Sequence, residues 1–178
     1  MWTALDPEST LLRVIDVGTR TLEMAHQVVH HVVGVLAPGC GPLCLTDGLQ
    51  DDGTARLRHL GCWRQAERHQ AAGPRPPPRW RPLPQLLSAQ VVKSYRRRRI
   101  VAVKHRVVFG PLEAVEQVLA ACGWQINSAF VERLTLDMRQ RVAAVGRRVN
   151  TLCKGAKGRQ QQLVWHCQLN AKNDTSVQ

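Results

Sequence analysis

The sequence predicts an α/β protein in which helices flank a mixed β-sheet. Strand and helix patterns follow one another in the order strand, strand, helix, strand, which is typical of α/β proteins. The first and the last of these four elements each end on an aspartate, Asp6 and Asp47. A proline- and arginine-rich insertion, residues 71–84, separates them from the second half of the pattern.

The chain begins with a predicted β-hairpin. Residues 2–5 form a short apolar strand, and residues 11–18 return as a second strand that is rich in β-branched side chains. Thr19 or Thr21 caps the helix that follows. Apolar positions in that helix recur at steps of three and four, at Leu22, Ala25, Val29, Val32, Val33 and Leu36. Residues 43–47 then predict another strand, which reads LCLTD.

The pattern is weaker between Asp47 and the insertion. Residues 53–60 predict a helix, and residues 61–63 predict an edge strand. The prolines of residues 71–84 remove amide donors and favour polyproline geometry. This segment is therefore predicted to be a linker or a surface arm, and neither a helix nor a strand.

The second half of the chain is predicted to be mainly helical. Helices are expected at residues 85–95, 112–122 and 128–149. A single strand is expected at residues 100–109. Residues 1–154 are predicted to form one domain, because the chain is long enough for one core. Residues 155–178 are polar and patternless, which predicts a disordered or frayed tail.

The charge balance points to a polyanionic partner. The chain has 25 Lys and Arg against 13 Asp and Glu, which gives a formal net charge of +12. Nucleic acid is the commonest partner of so basic a protein. The proline-arginine insertion and a basic run near the strand at residues 100–109 are expected to bind DNA. That run consists of Lys93, Arg96, Arg97, Arg98 and Arg99.

Cysteine usage and hydropathy predict a soluble, cytoplasmic protein. Only Cys40 and Cys44 are close in sequence, so neither a zinc ribbon nor a disulfide framework is predicted. His26 and His30 lie one helical turn apart and are predicted to lie on a solvated helix face. No apolar run is long enough to span a membrane, and no signal peptide is recognised.

The last predicted helix of the core carries an acid on its polar side. Glu132 points away from the apolar sector of this helix, while Arg139 shares its face and Arg133 flanks it. The sector contains Phe130, Val131, Leu134, Met138, Val142, Val145 and Val149. The helix dipole also favours an acid in the first turn, by about 0.3–1 kcal/mol, and this explains Glu132 without any function.

Asp6, Asp47 and Glu132 are together a candidate metal site. Two strand ends and a helix supply three carboxylates, and Mg²⁺ prefers such oxygen ligands. Two ions about 3.5–4 Å apart can activate the attacking oxygen and stabilise the leaving oxygen of a phosphoryl transfer. We therefore expect Mg²⁺ or Mn²⁺ as the cofactor, bound as a pair of ions.

Four segments of the chain resemble a known family. They read ALDPESTLLRVIDVGTRT, LTDGL, RRRRIVAVKHRVVFG and GWQINSAFVERLTLDMRQRVAAVGRRVNTLCK. Together they are similar to the catalytic half of bacterial insertion-sequence transposases of the DDE type, whose RNase H-like core is shared with retroviral integrases. The likeness covers residues 2–154, and TDG and ERL-x-L-x-x-R are its specific motifs.

The resemblance implies an RNase H-like mixed sheet and a transposase that cleaves DNA and transfers strands in transposition and recombination. It implies that Asp6, Asp47 and Glu132 are the catalytic, metal-binding triad. Arg133 and Arg139 belong to the motif that follows the glutamate, where they are expected to bind DNA. The implied partners are the element ends and the target DNA. A homo-oligomer, associated with the prokaryotic nucleoid, is the implied active form.

The sequence departs from the family pattern in three places. The family usually has an N-terminal zinc or helix-turn-helix module, whereas Trp2 already begins the first catalytic strand. Asp52 occupies a position that is usually aromatic. The C-terminal residues WHCQLNAKNDTSVQ do not match the family's last helix. We therefore expect a copy that is truncated at its N-terminus and altered at its C-terminus.

Other acids are weaker candidates for the site. Asp16 lies within the second strand and competes with Asp6, although the motif favours Asp6. Asp51 and Asp52 are predicted to be solvated turn residues. Two further acids fit the start of the helix behind Pro111, where the helix dipole favours them. They are Glu113 and Glu116.

Three functions remain open from the sequence. The first is an active DNA transposase domain. The second is an inactive remnant that binds DNA through Lys93, the arginines at 96–99 and the proline-arginine insertion; its binding should depend strongly on salt. The third is a stand-alone RNase H-like nuclease, which would prefer RNA–DNA hybrids.

Overall fold

A computed structural model describes residues 1–9, 11–66, 75–142, 145 and 155–174. Within these residues the protein is a mixed α/β chain, as predicted. The described strands are β1 (Trp2–Leu5), β2 (Leu12–Asp16), β3 (Leu43–Asp47), β4 (Gly61–Arg64), β5 (Arg79–Pro82), β6 (Leu87–Arg96) and β7 (Arg99–Phe109). The described helices are α1 (Leu22–Val35), α2 (Gln50–His59), α3 (Leu112–Ala121), α4 (Ala129–Arg141) and α5 (Ala156–Asp174).

The chain divides into two compact units. The first comprises Met1–Val35 and Ser128–Gln178, and the second comprises Leu36–Asn127. The sequence predicted one domain over residues 1–154. The structure differs from this prediction because each unit has an apolar cluster of its own. The cluster of the first unit contains residues from both the N-terminal and the C-terminal parts of the chain.

The first unit is built on the predicted hairpin. Strands β1 and β2 pair antiparallel, with Trp2 opposite Asp16. Helices α1 and α5 contact β2, and α4 contacts β1. The apolar cluster is centred on Met138, Val142 and Leu163, and Ile15 of β2 packs against it. A two-stranded hairpin is marginally stable alone, so these helices supply the burial that it needs.

Helix α5 corrects the prediction of a frayed tail. Residues 156–174 form a helix, and its Leu163 is fully buried in the cluster of the first unit. Strong helix formers occupy the first turns of α5, and apolar side chains follow them. The apolar residues do not form a regular stripe, so periodicity gave no signal for this helix.

The helix predicted at residues 128–149 is shorter than expected. Helix α4 ends at Arg141, and Val142 has an extended backbone with φ −96° and ψ 105°. Val145 N–H donates to the Val142 carbonyl oxygen at 3.0 Å, so a turn follows the helix. Both valines still pack against the apolar cluster. β-Branched residues have low helix propensity, which explains the early end. The other residues of 143–149 lie outside the described part of the chain.

The second unit contains a mixed three-stranded sheet in the order β3–β6–β7. Strands β3 and β6 are parallel, and β6 and β7 are antiparallel. Helix α3 covers the sheet with Val115 and Leu119, which pack against Ala89. The parallel register places Asp47 opposite Val91, at the carboxyl end of β3.

The helix predicted at residues 85–95 is wrong, because this segment is strand β6. Four consecutive residues, Ser88, Ala89, Gln90 and Val91, are buried, since β6 is the central strand of the sheet and is covered on both faces. A strand buried on both faces loses the alternation of apolar and polar residues that marks an exposed strand. Periodicity alone cannot distinguish it from a buried helix.

Part of the proline-arginine insertion also differs from the prediction. Residues 79–82 form β5, which pairs antiparallel with β4. Trp63 and Trp80 face each other in this pair, with ring centroids 5.6 Å apart in an edge-on arrangement. Aromatic cross-strand pairs stabilise a sheet, and Pro82 occupies the end of an edge strand, where no amide donor is required. Residues 67–74 lie outside the described part of the chain.

The remaining predicted elements are confirmed, with small changes in their bounds. They are the helices α1, α2 and α3 and the strands β3, β4 and β7. None of the described helices combines the length and the apolarity that a bilayer-crossing segment requires.

Candidate metal-binding carboxylates and basic surfaces

Asp6 lies directly after β1, in the turn that leads to β2. Its backbone N–H donates to the Leu11 carbonyl oxygen at 2.9 Å, which closes the hairpin. Its carboxylate accepts hydrogen bonds from Ser9 Oγ at 2.6 Å, from Arg13 Nη2 at 3.0 Å and from the Glu8 N–H at 3.2 Å. An aspartate that bonds the backbone two residues ahead is a common turn-forming device. Asp6 therefore stabilises the hairpin, whatever else it binds.

The contacts of Asp6 make a pH-dependent contribution to stability. The hydrogen bond from Ser9, followed by that from Arg13, lowers the pKa of Asp6 below its ordinary value. The contribution is therefore complete above the unfolded pKa of about 3.9 and is lost as the pH falls through the lower, folded pKa.

We expect Arg13→Gln to reduce the free energy of unfolding by at most about 1 kcal/mol near pH 7, since the ion pair is partly exposed. The difference from wild type should begin to shrink below about pH 4, where Asp6 of the unfolded chain takes up a proton, and should be lost as the pH falls through the lower pKa of folded Asp6. Urea unfolding at pH 7 and pH 3 measures both values, with Arg20→Gln as an exposed control in the same unit. A difference that is equal at the two pH values would contradict this role.

Asp47 ends β3 and is exposed. The chain turns immediately after it, because the Leu49 N–H donates to the Asp47 carbonyl oxygen at 2.8 Å. A side chain at Gly48 would approach Val92 Cγ2 to 3.3 Å, so glycine suits this close turn. Among the described residues, the Asp47 carboxylate has no hydrogen-bond or ion-pair partner. It is thus an exposed anion at the carboxyl end of a parallel strand, where ligands commonly bind in α/β sheets.

Glu132 lies in the first turn of α4 and is exposed. Its N–H donates to the Ser128 carbonyl oxygen at 3.0 Å, and the Ser128 hydroxyl donates to its carboxylate. Ser128 is the N-cap residue of the helix. Glu132 thus lies at the positive end of the helix dipole, where an acid stabilises the helix without having any other function.

The three predicted ligands belong to different units. Asp6 and Glu132 lie in the first unit, where α4 contacts β1, and Asp47 lies in the second unit. Within neither unit do three or more described His, Cys, Asp or Glu side chains gather where they could hold a metal ion. A joint site of Asp6, Asp47 and Glu132 therefore stays a prediction from the sequence.

Asp16, the rival of Asp6, has a different partner. It is buried, with 2% of its surface exposed, and its Oδ2 lies 2.8 Å from Nδ1 of His31 on α1. The pair joins β2 to α1, so it satisfies a carboxylate that burial would otherwise penalise. His31 had no signal in the sequence, because its link to Asp16 depends on how α1 packs.

We expect Asp16→Asn to destabilise the protein by about 1–3 kcal/mol, because it removes a charge-assisted hydrogen bond from a buried site. Urea unfolding of Asp16→Asn, His31→Gln and the double variant measures the coupling of the pair, which should be non-additive. DNA cleavage per folded molecule should remain. A variant with wild-type stability and no cleavage would instead identify Asp16 as a metal ligand.

The predicted basic run forms the distal end of the β6–β7 hairpin. Arg96 and Arg99 pair across the strands, and Arg97 and Arg98 make the two-residue loop between them. All four are exposed. Lys93 lies on β6, three residues before Arg96, and faces Val103 of β7. The structure thus brings the five predicted DNA-binding residues of this run onto one projecting hairpin.

Arg133 and Arg139 are both exposed on α4. Burial, followed by the positive charges of Arg20, Arg139 and Arg159, lowers the pKa of the Met1 amino group. Sequence reasoning missed Arg20 and Arg159, since only folding brings residues so far apart in the chain close enough to Met1 to act on its charge.

Arg56 is a further residue that the sequence did not indicate. It lies on α2 with 3% of its surface exposed, and its Nη1 donates to Thr46 Oγ1 at 3.3 Å. Its Nε and Nη2 atoms are buried and have no hydrogen-bond partner among the described residues. Burial raises the pKa of the neighbouring Cys44, and the charge of Arg56 partly opposes this shift. The buried guanidinium of Arg56 therefore contacts Thr46, which directly precedes Asp47.

The described residues thus include exposed carboxylates and exposed arginines. Asp47 and Glu132 are exposed carboxylates, which are suitable ligands for a hard divalent cation. The hairpin arginines and Arg133 and Arg139 of α4 are suitable partners for phosphate groups. Comparisons of the chain with protein-family models, with curated proteins and with solved structures gave no match.

Proposed function

We propose that this chain is the catalytic domain of a DNA transposase of the DDE type with an RNase H-like fold. Asp47 is the observation that carries the proposal. A parallel strand ends on an exposed carboxylate that has no partner among the residues that the structure describes, in a chain of net charge +12. Such a carboxylate in so basic a protein is best explained by a cation that it binds in use.

Asp6, Asp47 and Glu132 are the proposed ligands of two Mg²⁺ or Mn²⁺ ions. Their oxygen donors fit such ions, and none of the described residues occupies the Asp47 carboxylate. Bound ions of this kind activate the attacking oxygen and stabilise the leaving oxygen. Arg13 and Ser9 hold Asp6 ionised and oriented through its Oδ2 atom, so they have to move only where a metal ion binds that oxygen.

The proposed reaction has two steps. In the first, water attacks a phosphorus atom at the element end, the bond to the 3′ oxygen breaks, and that oxygen takes a proton to become a 3′-hydroxyl. In the second, this hydroxyl loses its proton and its oxygen forms a bond to the phosphorus of a target phosphodiester, while the bond from that phosphorus to the target's 3′ oxygen breaks and the released oxygen takes a proton. The basic hairpin and the arginines of α4 hold the DNA backbone throughout. A homo-oligomer in the prokaryotic cytoplasm, on the nucleoid, is the proposed active form.

Metal-dependent nicking tests this proposal. The full chain is incubated with supercoiled plasmid and with short duplexes in Mg²⁺, in Mn²⁺ and in chelator. We expect nicks with 3′-hydroxyl ends in either metal and none in chelator. Nicking that continues in chelator, or that also requires an RNA–DNA hybrid, would contradict a DNA transposase.

A second candidate is a DNA-binding protein without catalysis. The contacts of Asp6 favour it, because Ser9, Arg13 and the Glu8 N–H already occupy both carboxylate oxygens. Such a protein would bind duplex DNA in chelator with a strong salt dependence. Variants of Asp6, Asp47 and Glu132 would bind as well as wild type, and no metal would produce nicks.

A further inference from the structure

The β6–β7 hairpin carries a concentration of positive charge. Residues 93–106, here named the arginine ribbon, contain no Asp or Glu. Its cations are Lys93, Arg96, Arg97, Arg98, Arg99, Lys104 and Arg106. The two strands pair along its whole length, from Gln90 opposite Arg106 to Arg96 opposite Arg99. The ribbon is therefore a two-stranded hairpin with one irregularity in its register, between Ser94 and Tyr95, and both its strands and its loop carry cations.

The ribbon also exposes large apolar side chains. Tyr95 and Ile100 face each other directly behind the arginine loop and are 64% and 52% exposed. Val101 and Val103 of β7 are exposed as well. An exposed apolar group with a polar rim commonly marks an interaction site. A partner of the ribbon must therefore accept both cations and apolar side chains.

The loop of the ribbon has a strained backbone. Arg97 and Arg98 have φ values of 49° and 64°, in the left-handed region. A two-residue hairpin loop with two positive φ values is a type I′ turn, for which Asn-Gly is strongly preferred. Two arginines at these positions oppose the local preference. Residues that break a local rule in this way are concentrated at functional sites.

Duplex DNA, bound through its minor groove, fits these features best. At A·T pairs the minor groove presents only hydrogen-bond acceptors, and arginine is purely a donor. Narrow A·T-rich minor grooves also have an enhanced negative potential that attracts arginine. Proteins that bind this groove often insert an apolar side chain such as isoleucine between base steps, and Ile100 lies beside the loop.

We propose that the arginine ribbon is a minor-groove-binding arm. Arg97 and Arg98 enter the groove at A·T-rich DNA, Ile100 packs against the bases or sugars beside it, and Lys93 and Lys104 contact the flanking phosphates. The inference rests on the proposed function in that DNA is the partner. It adds which groove is bound, which residues enter it and which base composition is preferred.

Binding of the full chain to fluorescent duplexes in chelator tests the arm without any cleavage. The probes are an A·T-rich duplex, a G·C-rich duplex and one in which inosine–cytosine pairs replace the A·T pairs. Inosine lacks the minor-groove amino group of guanine, so an I·C pair resembles A·T in the minor groove and G·C in the major groove. We expect the A·T and I·C duplexes to bind about tenfold more tightly than the G·C duplex.

The variant Arg97→Asn/Arg98→Gly removes the loop cations and supplies the residues that the turn prefers. We expect it to be at least as stable to heat as wild type, to lose the A·T and I·C preference, and to reduce the salt-dependence slope by about two. The control Arg58→Gln/Arg64→Gln removes two exposed arginines of the same unit, from α2 and β4, outside both the ribbon and the proline-arginine insertion. It should retain the preference.

Two results would overturn the inference. If the I·C duplex binds like the G·C duplex, the ribbon does not read the minor groove. If the loop variant keeps its A·T preference, Arg97 and Arg98 do not enter the groove. Neither result depends on nicking, so failure of the arm is distinguishable from failure of the transposase proposal. Conversely, an arm that binds as expected in a chain that never nicks DNA would identify the non-catalytic DNA-binding protein.

Discussion

Asp47→Asn is expected to reduce Mg²⁺-dependent nicking by about a thousandfold or more. The proposed metal sites depend on the charge of this carboxylate, and metal-bound transition states are stabilised by several kcal/mol, each 1.36 kcal/mol being worth a factor of ten. Asparagine preserves the shape of the side chain and removes only the charge. Gel quantification of nicked plasmid over time measures the rate.

The matched control is Asp51→Asn, which removes one acidic charge from the first turn of α2, four residues away and in the same unit. It should nick DNA at nearly the wild-type rate. Binding of duplex DNA in chelator should be unchanged or slightly tighter for Asp47→Asn, because an anion near the phosphates is lost. Equal nicking by wild type and Asp47→Asn would discard the proposed mechanism.

Leu163→Ala is expected to cause the largest loss of stability, about 2–5 kcal/mol. Leu163 of α5 is fully buried against Met138 and Val142, so its truncation leaves a cavity that the surrounding helices cannot fill completely. A loss of this size is a large fraction of the total stability of a domain. Urea unfolding, followed by far-ultraviolet circular dichroism, measures the change.

Leu136→Ala on α4 is the control, because Leu136 is 55% exposed and its truncation removes little burial. Its effect should stay within about 0.5 kcal/mol. Equal stability of Leu163→Ala and wild type would mean that α5 does not pack in solution and that the tail is frayed, as its composition suggested. The DNA-binding test of the arginine ribbon is unaffected, since the ribbon belongs to the second unit.

Local patterns predicted much of the secondary structure. The β1–β2 hairpin, α1 and the strand that ends on Asp47 could be read from turn residues and apolar spacing, because each has one exposed face. Strand β6 could not, because its burial on both faces removes the alternation that identifies a strand. Helix α5 could not either, since Leu163, the one leucine of α5 whose burial the structure describes, gives no periodic stripe.

In the candidate site, too, the sequence predicted the local positions of residues and did not predict their tertiary contacts. The strand-end position of Asp47 and the first-turn position of Glu132 were visible in the sequence, since both depend on local structure. The partners of Asp6 and Asp16 were not, because the Arg13 contact depends on hairpin register and the His31 contact on helix packing. The burial of Arg56 behind Thr46 likewise required the fold. Charge excess indicated DNA, but only the hairpin geometry showed which cations share a surface.

Strand β6 connects the proposed metal ligand Asp47 to the proposed DNA-binding ribbon. Val91 is paired with Asp47 on the β3 side, and two residues later Lys93 begins the arginine ribbon on the β7 side. A displacement of the ribbon by bound DNA would therefore be transmitted to Asp47 along one hydrogen-bonded strand, with no loop in between. Binding of DNA at Arg97 and Arg98 is therefore expected to change the position of the Asp47 carboxylate through β6 alone.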